Sequence, residues 1–173
     1  MGKTENSSWF NHFGTMLDCS RNAVMNVESI KKWIDITTDL GYNTLLLYTE
    51  DTYEVKDNPY FGYMRGRYRK EELKEINAYA LSKGMELIPC IQTLAHMNAI
   101  IRWPAYREHV DTDDILLAGD KAVYELIDKM FATIPIRSIM IKCLLPTQRL
   151  RRIPGLLVAF GTGRDSHLIM ATV

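Results

Sequence analysis

The 173-residue sequence has few cysteines and no long apolar segment. Its three cysteines, Cys19, Cys90 and Cys143, are too few and too scattered for a disulfide framework or a CxxC metal site, so we expect free and mostly buried thiols. No apolar run approaches the roughly 20 residues that span a bilayer. The first residues also lack the apolar stretch of a signal peptide. We therefore expect a cytoplasmic protein with no membrane partner.

Acidic residues are nearly missing from the end of the chain. The formal net charge is zero, but residues 1–128 carry −6 and residues 129–173 carry +6. The last glutamate is Glu125, and Asp165 is the one acid after residue 128. Such a shift indicates a boundary or a basic tail. Because the tail holds as much Leu, Ile and Pro as Arg, we expect no nucleic-acid partner.

The apolar pattern predicts alternating strands and helices. Four short apolar runs predict strands at residues 14–17, 43–48, 85–91 and 136–141. Amphipathic stretches between them predict helices that begin near Asn26, Arg69 and Asp120, and the first and last of these residues are good N-caps. This order predicts parallel strands joined by helical crossovers.

The predicted connections are unequal in length. The helix-to-strand turns are short and contain Gly41 and Gly84, whereas the strand-to-helix loops are long and polar. In a (β/α) barrel those long loops form the catalytic face. No GxGxxG or P-loop follows a strand, which disfavours a nucleotide-binding Rossmann fold. We therefore predict an α/β fold, a partial (β/α)8 TIM barrel of about four units. Its predicted parts are an N-terminal extension at 1–13, the partial barrel at 14–134 and a divergent basic C-terminal segment at 135–173.

Polar side chains follow three of the predicted strands on the same face of the sheet. They are Asp18 and Arg21, then Glu50 and Asp51, then Gln92 and His96. Arginine presents a planar fork of donors that suits vicinal hydroxyls or a carboxylate. An Asp–His pair can orient a reacting group or tune its pKa. The structural alternatives are an Asp18–Arg21 salt bridge, a turn capped by the two middle acids, and a loop histidine.

Two further features leave alternatives open. A metal site built from Asp18, Glu50, Asp51 and His96 is chemically sensible, which keeps a metal-dependent barrel enzyme as an alternative function. It has no compact signature such as HExxH, so we expect no metal and no cofactor. The loop at 49–68 is also rich in aromatic residues, which either stack on sugar faces or pack the loop onto the core. They include Tyr60, Phe61, Tyr63 and Tyr68.

Three segments, in order, resemble glycoside hydrolase family 20, the exo-β-N-acetylhexosaminidases. MLDCSRN at 16–22 is similar to the first-strand motif of that family. LLLYTEDTYE at 45–54 resembles its second strand, which usually ends in two acids. FGYMRGRYRKEELKEINAYALSKGMELIPCIQTLAHM at 61–97 resembles the next helix and strand. The resemblance extends over about residues 14–134, the N-terminal part of the catalytic barrel.

The resemblance implies removal of terminal β-linked GlcNAc or GalNAc by substrate-assisted retaining hydrolysis. It implies that Arg21, with Asp18, contacts the hydroxyls of the terminal N-acetylhexosamine. It further implies that Asp51, with Glu50 beside it, belongs to a supporting network with His96 near the general acid. The predicted partners are therefore glycans that contain N-acetylhexosamine.

The sequence departs from the family pattern at three places. Leu94-Ala95 replaces the usual proline and glycine before the histidine, and Glu50-Asp51 replaces Asp-Asp. The catalytic Asp-Glu pair expected near residues 136–143 is absent, so no catalytic residue is assigned. We therefore expect a truncated or inactive form, and a non-catalytic carbohydrate- or partner-binding remnant is the alternative. Because an open barrel exposes strand edges, we also expect an oligomer that covers them.

Overall fold

Five parallel strands form one sheet in the computed structural model, which describes residues 11–21 and 23–134 together with the backbone of two later strands. The strands are β1 (Gly14–Asp18), β2 (Thr44–Tyr48), β3 (Glu86–Gln92), β4 (Ile139–Cys143) and β5 (Leu156–Phe160). Each strand pairs with the one before it in the sequence, in the order β1-β2-β3-β4-β5. A doubly wound sheet reverses direction part-way, whereas a (β/α) barrel keeps this sequential order.

Helices connect the first four strands. They are α1 (Val27–Asp39), α2 (Lys70–Ser82), the short α3 (Asn98–Ile101) and α4 (Lys121–Thr133), with a 3₁₀ helix at Pro104–His109 between the last two. The predicted N-caps are confirmed, because the side chain of Asn26 accepts a hydrogen bond from the Ser29 N–H and that of Asp120 from the Ala122 N–H. None of the helices in the described ranges is long and apolar enough to cross a membrane.

The two faces of the sheet have different neighbours. Leu45, Leu47, Leu87 and Ile91 belong to the main core, which includes the buried faces of the helices. The opposite face carries a smaller apolar cluster of Leu46, Tyr48, Ile88 and Cys90. In a barrel this second face is the interior. On the same face of β1, Met16 is 53% exposed.

The end of the chain differs from the prediction. β4 begins at Ile139, three residues after the predicted start at 136, and β5 was not predicted. Both strands lie in the segment predicted to be divergent, and their backbones continue the same parallel sheet. The rest of that segment, the side chain of Cys143 and most of the predicted N-terminal extension lie outside the described residues. Cys19 is a free, buried thiol, as predicted, and Cys90 is buried as well.

Candidate functional site

A cleft of about 580 Å³ lies where β1, β2 and β3 end. Its walls include Arg21, Tyr48, Glu50, Arg65, His96 and Arg102. The carboxyl ends of parallel strands meet at one edge of a sheet, which is where α/β proteins place their ligands. The structure thus brings together one predicted residue from each of the three strand ends: Arg21, Glu50 and His96.

At the end of β1, Asp18 fixes the position of Arg21. One carboxylate oxygen of Asp18 accepts hydrogen bonds from the N–H and hydroxyl of Ser20 and from the Arg21 N–H. The other accepts one from Arg21 Nη1 at 2.8 Å. Partial burial raises the pKa of Asp18, but the hydrogen bonds from Arg21 and Ser20 outweigh it and lower the pKa below its ordinary value. An ionised Asp18 therefore holds the guanidinium of Arg21 at the cleft.

A chain of hydrogen bonds runs across the floor of the cleft. Gln92 Nε2 donates to the Tyr48 hydroxyl at 2.7 Å, and that hydroxyl donates to Glu50 Oε1 at 2.9 Å. The guanidinium carbon of Arg21 lies 5.3 Å from the centroid of the Tyr48 ring, within cation–π range. Burial, followed by the charge of Glu50, raises the pKa of Tyr48, so its hydroxyl stays protonated. The chain holds the Glu50 carboxylate beside Arg21, whose Nη2 is 4.0 Å from Oε1.

At the end of β2, Asp51 is buried and paired with Arg65. Arg65 Nη1 lies 2.8 Å from Asp51 Oδ1, but the contact is ionic, because neither Asp51 oxygen meets hydrogen-bond geometry among the described residues. Burial raises the pKa of Asp51, and the charge of Arg65 opposes this shift without cancelling it. Arg65 also donates to the backbone carbonyl of Ser20. It therefore joins the loops that follow β1 and β2.

His96 contacts an acid that the sequence pattern did not place near it. Its Nδ1 lies 3.1 Å from Asp114 Oδ2, and no direct bond to Asp51 is present among the described residues. Its backbone has a φ of +57°, which a non-glycine residue adopts only where the surroundings hold it. With Glu50, Asp51 and Gln92, His96 lines a small cavity next to the cleft. The supporting network with Asp51 therefore stays a prediction.

The sequence pattern did not indicate four site residues: Tyr48, Arg65, Arg102 in the cleft wall and Asp114 beside His96. Tyr48 was assigned to the core strand, although period-2 alternation places it on the same face as Asp18, its neighbour in the β1–β2 register. Arg65 comes from an irregular loop with positive φ values at Gly62 and Met64, where no periodicity applies. The nearest signal for Arg65 was Asp51 itself, because an acid that becomes buried needs a cation as its partner.

Comparison with known proteins identifies the family. The model of the glycosyl hydrolase family 20 catalytic domain matches residues 10–128, well over half of the chain. The chain belongs to glycosyl hydrolase family 20. Among curated proteins, the comparison found no match.

Solved structures similar to this family 20 chain include three bacterial enzymes. A mutant Streptomyces plicatus beta-hexosaminidase in complex with its product GlcNAc is 25% identical, with a TM-score of 0.66, over 78% of this chain and 32% of that one. A Vibrio harveyi GH20 exo-beta-N-acetylglucosaminidase in complex with N-acetylglucosamine is 21% identical, with a TM-score of 0.68, over 85% of this chain and 29% of that one. The GH20 beta-N-acetylhexosaminidase of Streptomyces coelicolor is 21% identical, with a TM-score of 0.65, over 91% of this chain and 44% of that one.

These comparisons confirm the predicted family and the partial barrel. The family 20 chain spans about a third of the length of the first solved structure that it matches. Its parallel sheet with helical crossovers is the expected part of the family's TIM barrel.

The loop aromatics of the family 20 chain divide into two groups. Phe61 and Tyr68 are buried, and Tyr68 donates a hydrogen bond to the Met25 carbonyl, so they pack the loop onto the core. Tyr60 and Tyr63 are exposed and contact Trp103 from the next loop, at ring-centroid distances of 6.1 and 5.0 Å. Packing onto the core is thus the role of Phe61 and Tyr68, whereas stacking on a sugar stays a prediction for Tyr60 and Tyr63.

The described residues contain no group of three or more His, Cys, Asp or Glu side chains that could hold a metal ion. The four residues considered for a metal already have other contacts. Asp18 pairs with Arg21, Asp51 with Arg65 and His96 with Asp114, while Glu50 accepts from Tyr48. The metal-dependent alternative therefore has no supporting ligand set in this part of the chain.

Proposed function

We propose that the cleft binds the terminal N-acetylhexosamine of a β-linked glycan, as part of a β-N-acetylhexosaminidase catalytic barrel. Membership of family 20 supports glycoside hydrolase function in general. The observation that carries the finer proposal is the placement of Arg21. Asp18 holds its guanidinium over Tyr48, at the wall of a cleft formed by three strand ends.

The geometry suits a sugar with adjacent hydroxyls. Arg21 binds Asp18 through Nη1, which leaves N–H donors on the other side of its planar fork for ligand oxygens. Glu50, held by the Tyr48 hydroxyl, offers an acceptor 4.0 Å from Arg21 Nη2. A donor and an acceptor at this spacing can share two neighbouring hydroxyl groups. The Tyr48 hydroxyl positions Glu50, and Gln92 supports it by donating a hydrogen bond to that hydroxyl.

We further propose that the 173-residue chain binds this sugar without hydrolysing it at an enzymatic rate. The resemblance assigns protonation of the leaving oxygen to the glutamate of an Asp-Glu pair, and the sequence contains no such dipeptide. General acid help contributes about 10²–10⁴-fold to such reactions. The same absence supports the alternative of a carbohydrate-binding form without catalysis. A cytoplasmic location stays a prediction.

A covered β1 edge is also part of the proposal. Among the described strands, β1 pairs only with β2, so its other edge has no ladder partner there. Met16 is half exposed on the interior face beside that edge. An exposed edge strand next to an apolar face promotes pairing with another chain. We propose that an oligomer covers this edge, which sedimentation of the purified chain can test.

Sugar binding tests the main proposal. Titration of the 173-residue chain with GlcNAc, followed by NMR, is expected to show binding that Arg21→Ala weakens at least about tenfold, because hydrogen bonds from a charged donor are lost. Arg69→Ala is the matched control. Arg69 is 63% exposed and pairs with an acid three residues away, as the 64% exposed Arg21 does, but it is the N-cap of α2 and lies outside the cleft.

Two results would contradict the proposal. Equal GlcNAc affinities of the wild type and Arg21→Ala would show that the cleft is not the sugar site. Hydrolysis of an aryl N-acetyl-β-D-glucosaminide that Arg21→Ala abolishes would show that another residue supplies the proton. The second result would keep the sugar site and remove the proposal of binding without turnover.

A further inference from the structure

The arginines of the cleft differ in how their charge is balanced. Arg21 and Arg65 each lie 2.8 Å from an acid, Asp18 and Asp51 respectively. Arg102 lines the same cleft but has no acid within 4.0 Å among the described residues. The charge of Arg102 acts on Asp51 only as an electrostatic interaction without contact, and Asp51 is already paired with Arg65. The remaining acid of the cleft, Glu50, lies near Arg21, so Arg102 alone among these three arginines has no acid partner in the described part of the fold.

The aromatic residues next to the cleft hold Arg102 in place. Arg102 follows α3, whose Ile100 and Ile101 are buried and anchor the segment. Its guanidinium carbon lies 5.0 Å from the centroid of the Trp103 ring. Trp103 in turn contacts the exposed rings of Tyr60 and Tyr63. This cation–π contact forms no hydrogen bond, so the N–H donors of Arg102 remain available for a ligand.

We propose that Arg102, on the rim formed by Tyr60, Tyr63 and Trp103, binds a negatively charged substituent of the glycan, a sulfate or a carboxylate. This inference rests on the proposed sugar site and names its substrate class. A neutral sugar gains only ordinary hydrogen bonds from an exposed arginine without an acid partner, whereas an oxyanion gains charge attraction as well. An oxyanion matches the two parallel N–H donors of an arginine, and such charge-assisted pairs are about twice as strong as neutral hydrogen bonds.

Three sugars separate the sources of the charge. GlcNAc is the neutral reference, GlcNAc 6-sulfate carries a sulfate, and the disaccharide GlcNAc-β-1,4-glucuronic acid carries a carboxylate. The 173-residue chain is titrated with each at low ionic strength, followed by NMR and by tryptophan fluorescence. We expect at least one charged sugar to bind about tenfold more tightly than GlcNAc. Added salt should reduce that advantage, because exposed charges are screened.

Arg102→Gln isolates the effect of the charge. It is expected to remove the advantage of the charged sugar over GlcNAc, which is the ratio of two affinities measured on the same variant. Arg107→Gln is the matched control, because Arg107 is an exposed arginine of the neighbouring 3₁₀ helix outside the cleft and loses the same charge. Arg102→Lys should keep part of the advantage, since it keeps the charge and loses the planar fork.

The outcomes distinguish this inference from the proposed function. Equal affinities for charged and neutral sugars, or equal losses in Arg102→Gln and Arg107→Gln, would overturn the role of Arg102. If Arg21→Ala still weakens GlcNAc binding in that case, the proposed sugar site stands. A charged-sugar advantage that depends on Arg102 while Arg21→Ala has no effect would support this inference and contradict the proposed role of Arg21. Failure of every sugar to bind would overturn both.

Discussion

Two acid–arginine pairs lie at neighbouring strand ends and differ in almost everything except distance. Asp18–Arg21 and Asp51–Arg65 both have an N···O separation of 2.8 Å. The first pair is exposed, 41% for the acid and 64% for the arginine, whereas the second is 4% and 21% exposed. The pKa of Asp18 is lowered and that of Asp51 is raised. Burial, more than contact distance, therefore decides what each pair does.

The difference in burial gives the two ion pairs different roles. An exposed pair in water contributes little to stability, so its arginine can exchange part of its contact for a ligand. A buried pair is costly to break, because the remaining charge stays in a poorly solvated place. Arg21 thus suits ligand binding, and Arg65 suits the fastening of one loop to another. Four measurements test this contrast, in decreasing order of expected effect.

Arg65→Met is expected to lower the free energy of unfolding by about 3–5 kcal/mol at neutral pH, because it leaves Asp51 buried without its counter-charge. Urea unfolding followed by circular dichroism measures the change. The double variant Arg65→Met/Asp51→Asn should recover part of the loss, since the uncompensated charge is gone. A loss below about 1 kcal/mol in the single variant, as for an exposed pair, would remove the contrast between the two sites.

Tyr48→Phe tests the hydrogen-bond chain that lies between the two pairs. The variant keeps the ring beneath Arg21 but removes the hydroxyl that joins Gln92 to Glu50. We expect a loss of about 1–2 kcal/mol in unfolding free energy, because the buried Gln92 amide loses its acceptor. Affinity for GlcNAc should fall as well. Unchanged sugar affinity with reduced stability would show that Glu50 does not need this positioning.

Arg21→Ala should change the free energy of unfolding by less than about 1 kcal/mol, because its ion pair with Asp18 is exposed. The same urea titration measures this value. The pairing of a small stability change with a large loss of sugar affinity is the expected signature of a ligand-binding arginine. A stability loss as large as that of Arg65→Met would instead make Arg21 a structural residue.

The pH dependence of stability should have opposite signs at the two acids. The raised pKa of Asp51 means that the folded protein holds its proton more tightly than the unfolded chain. Its contribution therefore grows as the pH falls toward the ordinary value of 3.8 and is lost as the pH rises through the folded pKa. The lowered pKa of Asp18 gives stability that is present above 3.8 and lost as the pH falls through its folded pKa.

Asn substitutions separate these two contributions. Between neutral pH and about pH 4, Asp51→Asn should make the fall of stability on acidification steeper, since it removes a term that opposes the fall. Below about pH 4, where the Asp18 contribution is lost, Asp18→Asn should make the fall shallower, by a small amount because the pair is exposed. Thermal unfolding at a series of pH values measures both slopes. Slopes that change in the same direction would show that the two acids do not titrate as the structure indicates.

Local patterns were sufficient to predict most of the secondary structure. The predicted strand at 43–48 is found at Thr44–Tyr48, and the helix predicted to begin near Arg69 is Lys70–Ser82. Leu73, Ile76 and Ala80 face the core as their helical spacing indicates. The 3₁₀ helix and the short α3 were not predicted, because segments of four to six residues carry too few turns to show a period.

Sequence patterns predicted the site residues that follow strand ends, but not the residues that contact them. Arg21, Glu50 and His96 converge because parallel strands end at one edge. Their partners depend on contacts between distant segments, and local sequence does not encode these. Asp114 reaches His96 from 18 residues further along the chain, and Arg102 gains its position from rings in two separate loops.

The sequential strand order has a consequence for synthesis of the protein. Each strand pairs with the one made just before it, as in the Gly14–Thr44, Thr44–Glu86 and Ile139–Leu156 registers. A nascent chain that has emerged from the ribosome as far as Gln92 therefore already contains β1, β2 and β3, which pair β1 with β2 and β2 with β3, and the two helices that join them. Because chains emerge at about 5–20 residues per second, the sheet can grow at its newest edge during translation. The ligand cleft then closes only when the segment with His96 and Arg102 follows.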